Sequence, residues 1–519
     1  MAIEREAYRA LEAVVEPRNI SEDPAVLDSY IWQWPGELHE GVQVRFLRHR
    51  PVAVALPAST EEVQAIARVC NRYGLKFRAF STGWGAWGAP KSEGVVQLDL
   101  RRMDRMRELN ERDMYAVVEP YFIWARLQAE SMKRGLNCSI IGAGSNTSPL
   151  ASCTSMEGAG YNSHSMGYNN RNVLGIEWVL PNGELLKLGS LGSGSGWISG
   201  DGPGPSLRGM LRGIVGAAGG FGVITAAAIR LYQWGGPPEL AMSPVDGSLQ
   251  ELPENVELMV PDFPTFEQRD AALYEIGEAE IVYASMHLGR GLGALLMAPG
   301  RELVSGAREA LIGATPQAAY AFLLVGNSRA ELEYQKKVLR MIVERHGGSF
   351  SPVFEDEAEN LPLVLHLIKN HDNARVFWVS GSFTSVFCLS MFARRQLGEA
   401  ERLSIQVKKK YIDKGALVDD VGEGGWGQLF DHGHTVCFEN ETCFDPLSAD
   451  AVSGIGEAIL EGNDEALRRN WSPPLKVEMV AAEKEGKNIH ERLGPVMSGY
   501  DLWFHQIRRA FDPNGVADA

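Results

Sequence analysis

The stretch that most constrains the fold is Phe80-Ser81-Thr82-Gly83-Trp84-Gly85-Ala86-Trp87-Gly88-Ala89-Pro90. Its Gly83-x-Gly85-x-x-Gly88 string fits the dinucleotide fingerprint. In a doubly wound nucleotide fold that loop leaves the first strand of a βαβ unit and opens a helix. Here the setting differs. Residues 52–56 are a β-rich run. Ser59-Thr60-Glu61-Glu62 caps a helix whose apolar positions Val63, Ile66, Ala67 and Cys70 have helical spacing. Gly74 ends that helix and residues 75–80 form the next strand, so the glycines follow the second strand. After Pro90 comes another strand, Gly94-Val95-Val96-Gln97-Leu98-Asp99-Leu100, with no helix at the glycines. Successive backbone N–H groups in such a loop can converge on a diphosphate as a nest. An ordinary glycine-rich turn is the other reading of the loop taken alone.

At 519 residues the chain can hold two or three domains with full cores. A net charge of −16 and a pI near 5.3 argue against non-specific binding to nucleic acid or anionic membrane. No apolar run approaches the roughly 20 residues of a membrane helix. The start, Met-Ala-Ile-Glu-Arg-Glu, lacks a signal-peptide core. Six scattered cysteines without a CxxC give neither a disulfide framework nor a four-cysteine cluster. The expectation is a soluble, cytoplasmic protein with no nucleic-acid partner and no membrane span.

Further along, Tyr30-Ile31-Trp32-Gln33-Trp34-Pro35 reads as an aromatic packing cluster. Residues 115–120 are a strand closed by Pro120, and 123–134 an amphipathic helix ending near Gly135. A polar, small-residue passage from Gly142 to Asn172 is too long for a mere connection and is expected to hold a ligand. Pro181-Asn182-Gly183 turns a hairpin. Residues 207–215 read as a helix, and Gly216-Ala217-Ala218-Gly219-Gly220-Phe221-Gly222 leads into the strand 223–231. Gln233-Trp234-Gly235-Gly236-Pro237-Pro238 is the clearest domain boundary. Beyond it, a strand–helix–strand block at 256–287 and a helix–strand–helix block at 301–345 predict an α+β domain with helices over a mainly antiparallel sheet. The expected division is 1–235, 236–475 and a C-terminal segment, 476–519, returning to the first part.

Three glycine-rich stretches in fixed order, at 80–90, 142–184 and 216–225, together with the closing Phe511-Asp512-Pro513-Asn514-Gly515, resemble the vanillyl alcohol oxidase / p-cresol methylhydroxylase flavoprotein family. That family includes glycolate and D-lactate dehydrogenases. The resemblance spans about residues 52–232 and 505–515. It implies an α+β protein: an FAD-binding domain of two small α/β pieces, and a cap domain on a mainly antiparallel sheet over the flavin. It assigns FAD contacts to Ser81, Thr82, Gly83, Trp84, Gly85, Ala86 and Trp87 at the diphosphate. Thr154, Ser155, Gly158, Gly160, Tyr161, Tyr168, Gly219, Gly220, Gly222, Val223 and Ile224 fall along the flavin and ribityl chain. Asn170 is a further candidate near the flavin. Trp84 and Trp87 depart from the family's small-residue loop, Met156-Glu157 replaces its Gly-Gly, and the loop lacks the flavin-linking histidine of some members.

A flavin oxidises its substrate by taking a hydride, so the protein must place a C–H bond and remove a proton. His432 and His434 are two apart and on a strand would share a face, with Cys437, Glu439 and Glu441 on the other. Structural or solvent-facing histidines, a proton-transfer pair and a divalent metal site all fit that pattern, and His366 and His371 are further candidate ligands. Arg492 lies where phenol-oxidising relatives carry a Tyr-Arg pair, with Glu491 in place of the tyrosine; a surface salt bridge fits it equally. The expected function is an FAD-dependent oxidoreductase acting on an alcohol, alkylphenol or 2-hydroxy acid and passing electrons to oxygen or a protein acceptor. The expected assembly is a homo-oligomer or a subunit of a redox complex. The rival readings are a flavin-carrying electron-transfer subunit without substrate chemistry and a flavin-using synthase with no net redox.

Overall fold

The computed structural model describes residues 2–31, 49–83, 88–142, 144–155, 158–197, 206–211, 220–290, 318–350, 354, 356–370, 383–445, 447–471 and 489–518. The first sheet takes β1 (Ile20–Ser21), β2 (Ala53–Ala55), β3 (Lys76–Phe80) and β4 (Val95–Asp99) in the order β1-β2-β4-β3. Strands β2, β4 and β3 are parallel, and β2 and β4 are buried throughout, as in a sheet covered on both faces. The helix Thr60–Tyr73 starts where Ser59 accepts the Glu62 N–H at 3.2 Å, and ends at Gly74 with φ 64°. Its buried face is Val63, Ile66, Ala67 and Cys70. The C-terminal end closes this part. Ala517 bridges Phe77, and Asp518 accepts from the backbone N–H of Lys91 at 2.6 Å and from the Ser92 hydroxyl at 2.7 Å.

The second sheet takes β5 (Met106–Asn110), β6 (Tyr115–Val118), β8 (Val173–Val179), β9 (Leu185–Leu188) and β10 (Val223–Arg230), all antiparallel, in the order β5-β6-β10-β8-β9. A two-stranded ribbon pairs β7 (Leu136–Asn137) with β11 (Tyr232–Gln233). The expected hairpin is β8–β9. Buried Trp178 on β8 stacks on Phe511 at 5.7 Å, which ties the helix Tyr500–Phe511 to this sheet. Of the helix expected at 207–215, a short 3-10 turn, Leu207–Leu211, is present, and the remainder lies outside the described residues. The helix expected at 301–312 and most of the 30–35 cluster also lie outside them; Tyr30 packs on Phe80 and donates to Asp99 at 2.5 Å.

The third sheet is antiparallel and six-stranded: β12 (Val256–Met259), β14 (Ala284–Leu288), β15 (Tyr320–Val325), β17 (Phe383–Ala393), β18 (Gly425–Phe430) and β19 (Thr435–Cys443), in the order β12-β15-β14-β18-β19-β17. β13 (Pro261–Asp262) and β16 (Ser349–Phe350) form a separate small pair. The two faces of the large sheet differ in character. On one, Leu429, Val436, Phe438, Phe387 and Leu389 pack on the helices Phe266–Ala279, Arg329–Arg345 and Leu397–Asp413. On the other, β18 and β19 present Trp426, Gln428, Cys437, Glu439 and Glu441. Trp426, Phe430 and Cys437 there meet Ala159 and Tyr168 of the glycine-rich passage. Side chains alternate along a strand, so this division follows from the sequence of β19 itself.

Candidate active site

The passage after Gly142 is built on close backbone approach. A Cβ at Gly160 would stand 1.6 Å from the carbonyl oxygen of Ile140, and one at Gly158 would stand 2.5 Å from that of Ser152. Glycine is the residue that permits such contacts. Two short helices, Pro149–Thr154 and Ser163–Met166, interrupt the passage. Ser148 caps the first by accepting the Ala151 N–H, and its own N–H donates to Thr82 Oγ1 at 3.2 Å. Ser81 donates to the Pro120 carbonyl, and Gly83 has φ 78°. The loop at 81–83 is thus tied to the passage at 148, and Trp84, Gly85, Ala86 and Trp87 lie outside the described residues. Asn169 is fully buried, donates its N–H to Gly158 O at 2.8 Å, and has neither side-chain amide atom partnered. The Asn170 amide donates to Leu211 O, but its Oδ1 is unpartnered. Gly222, with φ 104°, could not carry a Cβ, which would meet Val179 O at 2.1 Å. A cradle of glycines beside buried, unpartnered amides fits a large polar cofactor such as FAD, because orphaned buried polar groups are otherwise costly.

Across from this cradle, Tyr161 joins the two parts. Its hydroxyl accepts from Trp426 Nε1 at 2.6 Å and pairs with His366 Nε2 at 2.6 Å. Its backbone N–H donates to Asn370 Oδ1 at 2.8 Å. His366 and Asn370 sit at the end of the helix Glu357–Lys369. Burial, with added repulsion from Glu441 and Glu439, pushes the Tyr161 phenol far above its ordinary pKa, so it stays protonated. Glu439 accepts the Ser385 hydroxyl at 2.5 Å. Glu441 is held well above the usual carboxylate range, first by desolvation and then by Glu439. β18 and β19 are inner strands, yet Trp426, Glu439 and Glu441 on them are only half-buried, as are Ser385 and Cys388 on the edge strand β17. Half-exposed side chains on the covered face of an inner strand line an internal cleft.

His432 and His434 are not on a strand. β18 stops at Phe430, and Asp431, His432 and Gly433 have φ of 48°, 56° and 84°. Three successive left-handed residues cannot continue a pleated strand, so the expected shared face does not form. Asp431 pairs with Arg171 across this turn, and His434 is exposed. His432 lies edge-on to His164, 5.8 Å between ring centres. His164 is fully buried, bonds Ser285 at 3.0 Å, and is pushed down to about 3 by burial and then by His432 and Arg394. The turn begins five residues beyond Trp426, roughly 16 Å at a strand's rise. His366 is engaged with Tyr161, and His371 lies outside the described residues. Among the described residues no group of three or more His, Cys, Asp or Glu could hold a metal ion, so the metal reading has no support.

Arg492 pairs with Asp464 at 2.8 Å. Thr154 and Ser155 close the short helix at 149–154, their hydroxyls 3.2 Å apart. Tyr168 is buried against Phe430. Gly219 lies outside the described residues, Gly220 just precedes β10, and Val223 and Ile224 open it beside Val179 and Trp178. Sequence reasoning passed over Trp426, Gln428 and Asn370, and gave Glu439 and Glu441 no role. The alternation of polar residues with Val436, Phe438 and Asn440 was the available signal.

Residues 51–189 match the family described as an FAD binding domain. The 1'-carboxy-chondrochloren decarboxylase of Chondromyces crocatus is 33% identical over 193 residues, 35% of this chain and 34% of that protein. The probable mitochondrial D-lactate dehydrogenase of Danio rerio is 32% identical over 196 residues, 38% of this chain and 37% of that protein. The chain therefore spans about a third of the length of these curated relatives. In fold the match is broader. A crystal structure of p-cresol methylhydroxylase with substrate bound superposes with a TM-score of 0.76 at 17% identity, covering 99% of this chain and 95% of the other. Among the described residues no helix is long and apolar enough to cross a membrane. The resemblance to the vanillyl alcohol oxidase / p-cresol methylhydroxylase flavoproteins thus holds, with an FAD binding domain at 51–189 and their fold along the chain.

Proposed function

We propose that this protein is an FAD-dependent oxidoreductase that takes a hydride from an alcohol or benzylic carbon of a small molecule held in the cleft under the six-stranded sheet. In this reading residues 1–235 and 476–519 hold the cofactor and 236–475 cap it. The loop at 81–88 holds the diphosphate. Thr154, Ser155, Gly158, Gly160 and the segment 219–224 line the flavin and ribityl side, with Asn169 and Asn170 supplying amides. FAD, when bound, supplies the two-electron acceptor. The chain itself supplies orientation, exclusion of water and a place for the proton.

The observation that carries this reading is the half-exposed polar face of an inner strand, Glu439 and Glu441 beside Trp426 and Ser385, set opposite an FAD binding domain. A carrier of electrons without substrate chemistry has no need of a half-exposed, carboxylate-bearing face at that position. Tyr161, kept protonated and fixed between Trp426 and His366, acts as a hydrogen-bond donor and wall rather than as a base. The proton chemistry falls at the Glu439 end of the β18–β19 hairpin and not at His432 and His434. The purified protein is expected to be yellow. Cofactor released by acid and identified by mass is expected to be FAD; release of FMN, or failure to take up FAD on reconstitution, would overturn the assignment. Oxygen uptake during turnover distinguishes oxygen from a protein as the electron acceptor.

A further inference from the structure

We propose that Glu439 and Glu441 are the proton-handling pair of the cleft, that Glu439 takes the hydroxyl proton of an uncharged or cationic alcohol, and that the pair bars substrates bearing a carboxylate at the reacting carbon. The inference rests on the oxidoreductase reading above and specifies its substrate.

The two residues are i and i+2 on β19, so their side chains leave the same face. Both are half-buried in the cleft. Among the described residues Ser385 donates to Glu439, which fixes its orientation. Among the described residues neither carboxylate has a cationic partner. Lys408, whose charge opposes the upward shift of Glu441, is engaged by Asp420, by Asn440 Oδ1 at 3.2 Å and by the main-chain oxygen of Glu441. A second, independent feature points to a ligand. Gln428 is on the same face of the neighbouring strand, opposite Cys437 and one step from Glu439. It is completely buried, and neither atom of its amide has a partner. An amide with one donor and one acceptor, both vacant, suits a neutral hydroxyl or carbonyl group.

Two acidic side chains side by side without a cation divide their roles. One holds a proton and the other is free to take one, the pattern by which paired carboxyls split acid and base work. Desolvation and the neighbouring Glu439 favour the neutral form of Glu441, which assigns it the donor's part. In the oxidation, the substrate C–H bond breaks and its electron pair passes as hydride to the bound flavin. The O–H bond breaks, its proton goes to Glu439, and a carbon–oxygen double bond forms. Two electrons leave the substrate and two reach the flavin. A carboxylate on the reacting carbon would lie against Glu439 in a partly desolvated space where, among the described residues, no cationic side chain pairs with either glutamate.

The test uses the FAD-loaded protein and matched probes: benzyl alcohol against mandelate, and 1-butanol against 2-hydroxypentanoate. Under anaerobic stopped flow each alcohol is expected to reduce the flavin at least tenfold faster than its matching acid. Glu439→Gln is expected to slow reduction by the alcohols on the order of 10²–10⁴-fold, as for a lost general base, with FAD content unchanged. Infrared difference spectra at neutral pH are expected to show a protonated carboxyl band that Glu441→Gln removes. Faster reduction by the acids, a Glu439→Gln rate within threefold of wild type, or a band that survives Glu441→Gln would each overturn the proposal. A wild-type protein that holds FAD and is reduced by none of the four probes and by no alkylphenol counts against the oxidoreductase reading. The infrared band then decides the pair on its own, its loss in Glu441→Gln supporting the assignment and its persistence overturning it.

Discussion

Gly160→Ala is expected to cost the protein its flavin and much of its stability. The added methyl would stand 1.6 Å from Ile140 O and 2.9 Å from Asn370 Oδ1. The first of these is main chain and cannot rotate away. The backbone at 140 and 160 must part, which loosens the Gly142-to-Ala159 hydrogen bond of 2.7 Å and the Tyr161-to-Asn370 bond of 2.8 Å. Overpacking costs about 1–3 kcal/mol where side chains can adjust, and more where they cannot. The expected result is a lower melting temperature for the apo protein and FAD content well under half of wild type. Thermal unfolding followed by flavin quantitation measures both. Wild-type values for both would mean that the passage can shift by more than an ångström and is no rigid cradle.

Glu401→Ala is expected to destabilise the cap by about 3–5 kcal/mol, the range for breaking a buried ion pair from one side. Glu401 accepts from fully buried Arg269 at 2.7 Å and pairs with His287 at 2.8 Å. Removing it leaves Arg269 with the Asp270 carboxylate, at 2.9 Å, as its one remaining anionic partner among the described residues. Arg269 and then His287 outweigh desolvation and hold the Glu401 carboxyl down at about 2. A depressed carboxyl stabilises the fold above its unfolded value of about 4.3, and that contribution is lost as pH falls through about 2. It is worth on the order of 3 kcal/mol. Denaturant unfolding at pH 7 and at pH 3 checks both points. The difference between wild type and Glu401→Ala is expected to shrink at the lower pH. An equal difference at both would show that the carboxylate's charge is not what stabilises this core.

Much of the architecture was legible in the chain. Ser59, the spacing of Val63, Ile66, Ala67 and Cys70, and Gly74 mark a helix that the structure starts and stops at those residues. Such signals are local and do not depend on distant partners. The glycines at 158, 160 and 222 were equally legible as a cradle, because only close approach explains them. The expectation that His432 and His434 share a strand face went astray for a reason the sequence partly held. Asp431-His432-Gly433-His434 contains a glycine in the middle of a supposed strand, which marks a bend. The pairing of Asp431 with Arg171, 260 residues apart, was not legible. The same limit hid the Tyr161–Trp426–His366 junction, whose three members come from separate parts of the chain. Glu439 and Glu441 were visible as a pair of equal parity. What made them candidates was burial, the lack of a cationic partner among the described residues and the vacant Gln428 amide, all products of tertiary packing.

The central claim is that substrate in the cleft gives a hydride to bound FAD. Anaerobic titration of the FAD-loaded protein with alcohols, alkylphenols and 2-hydroxy acids tests it most directly, followed by the visible absorbance of the flavin. The account expects at least one alcohol or alkylphenol to bleach the flavin with one substrate molecule consumed per FAD and the corresponding carbonyl or quinone-type product formed. Flavin that is fully bound and reducible by dithionite, yet bleached by no member of the panel, would contradict it.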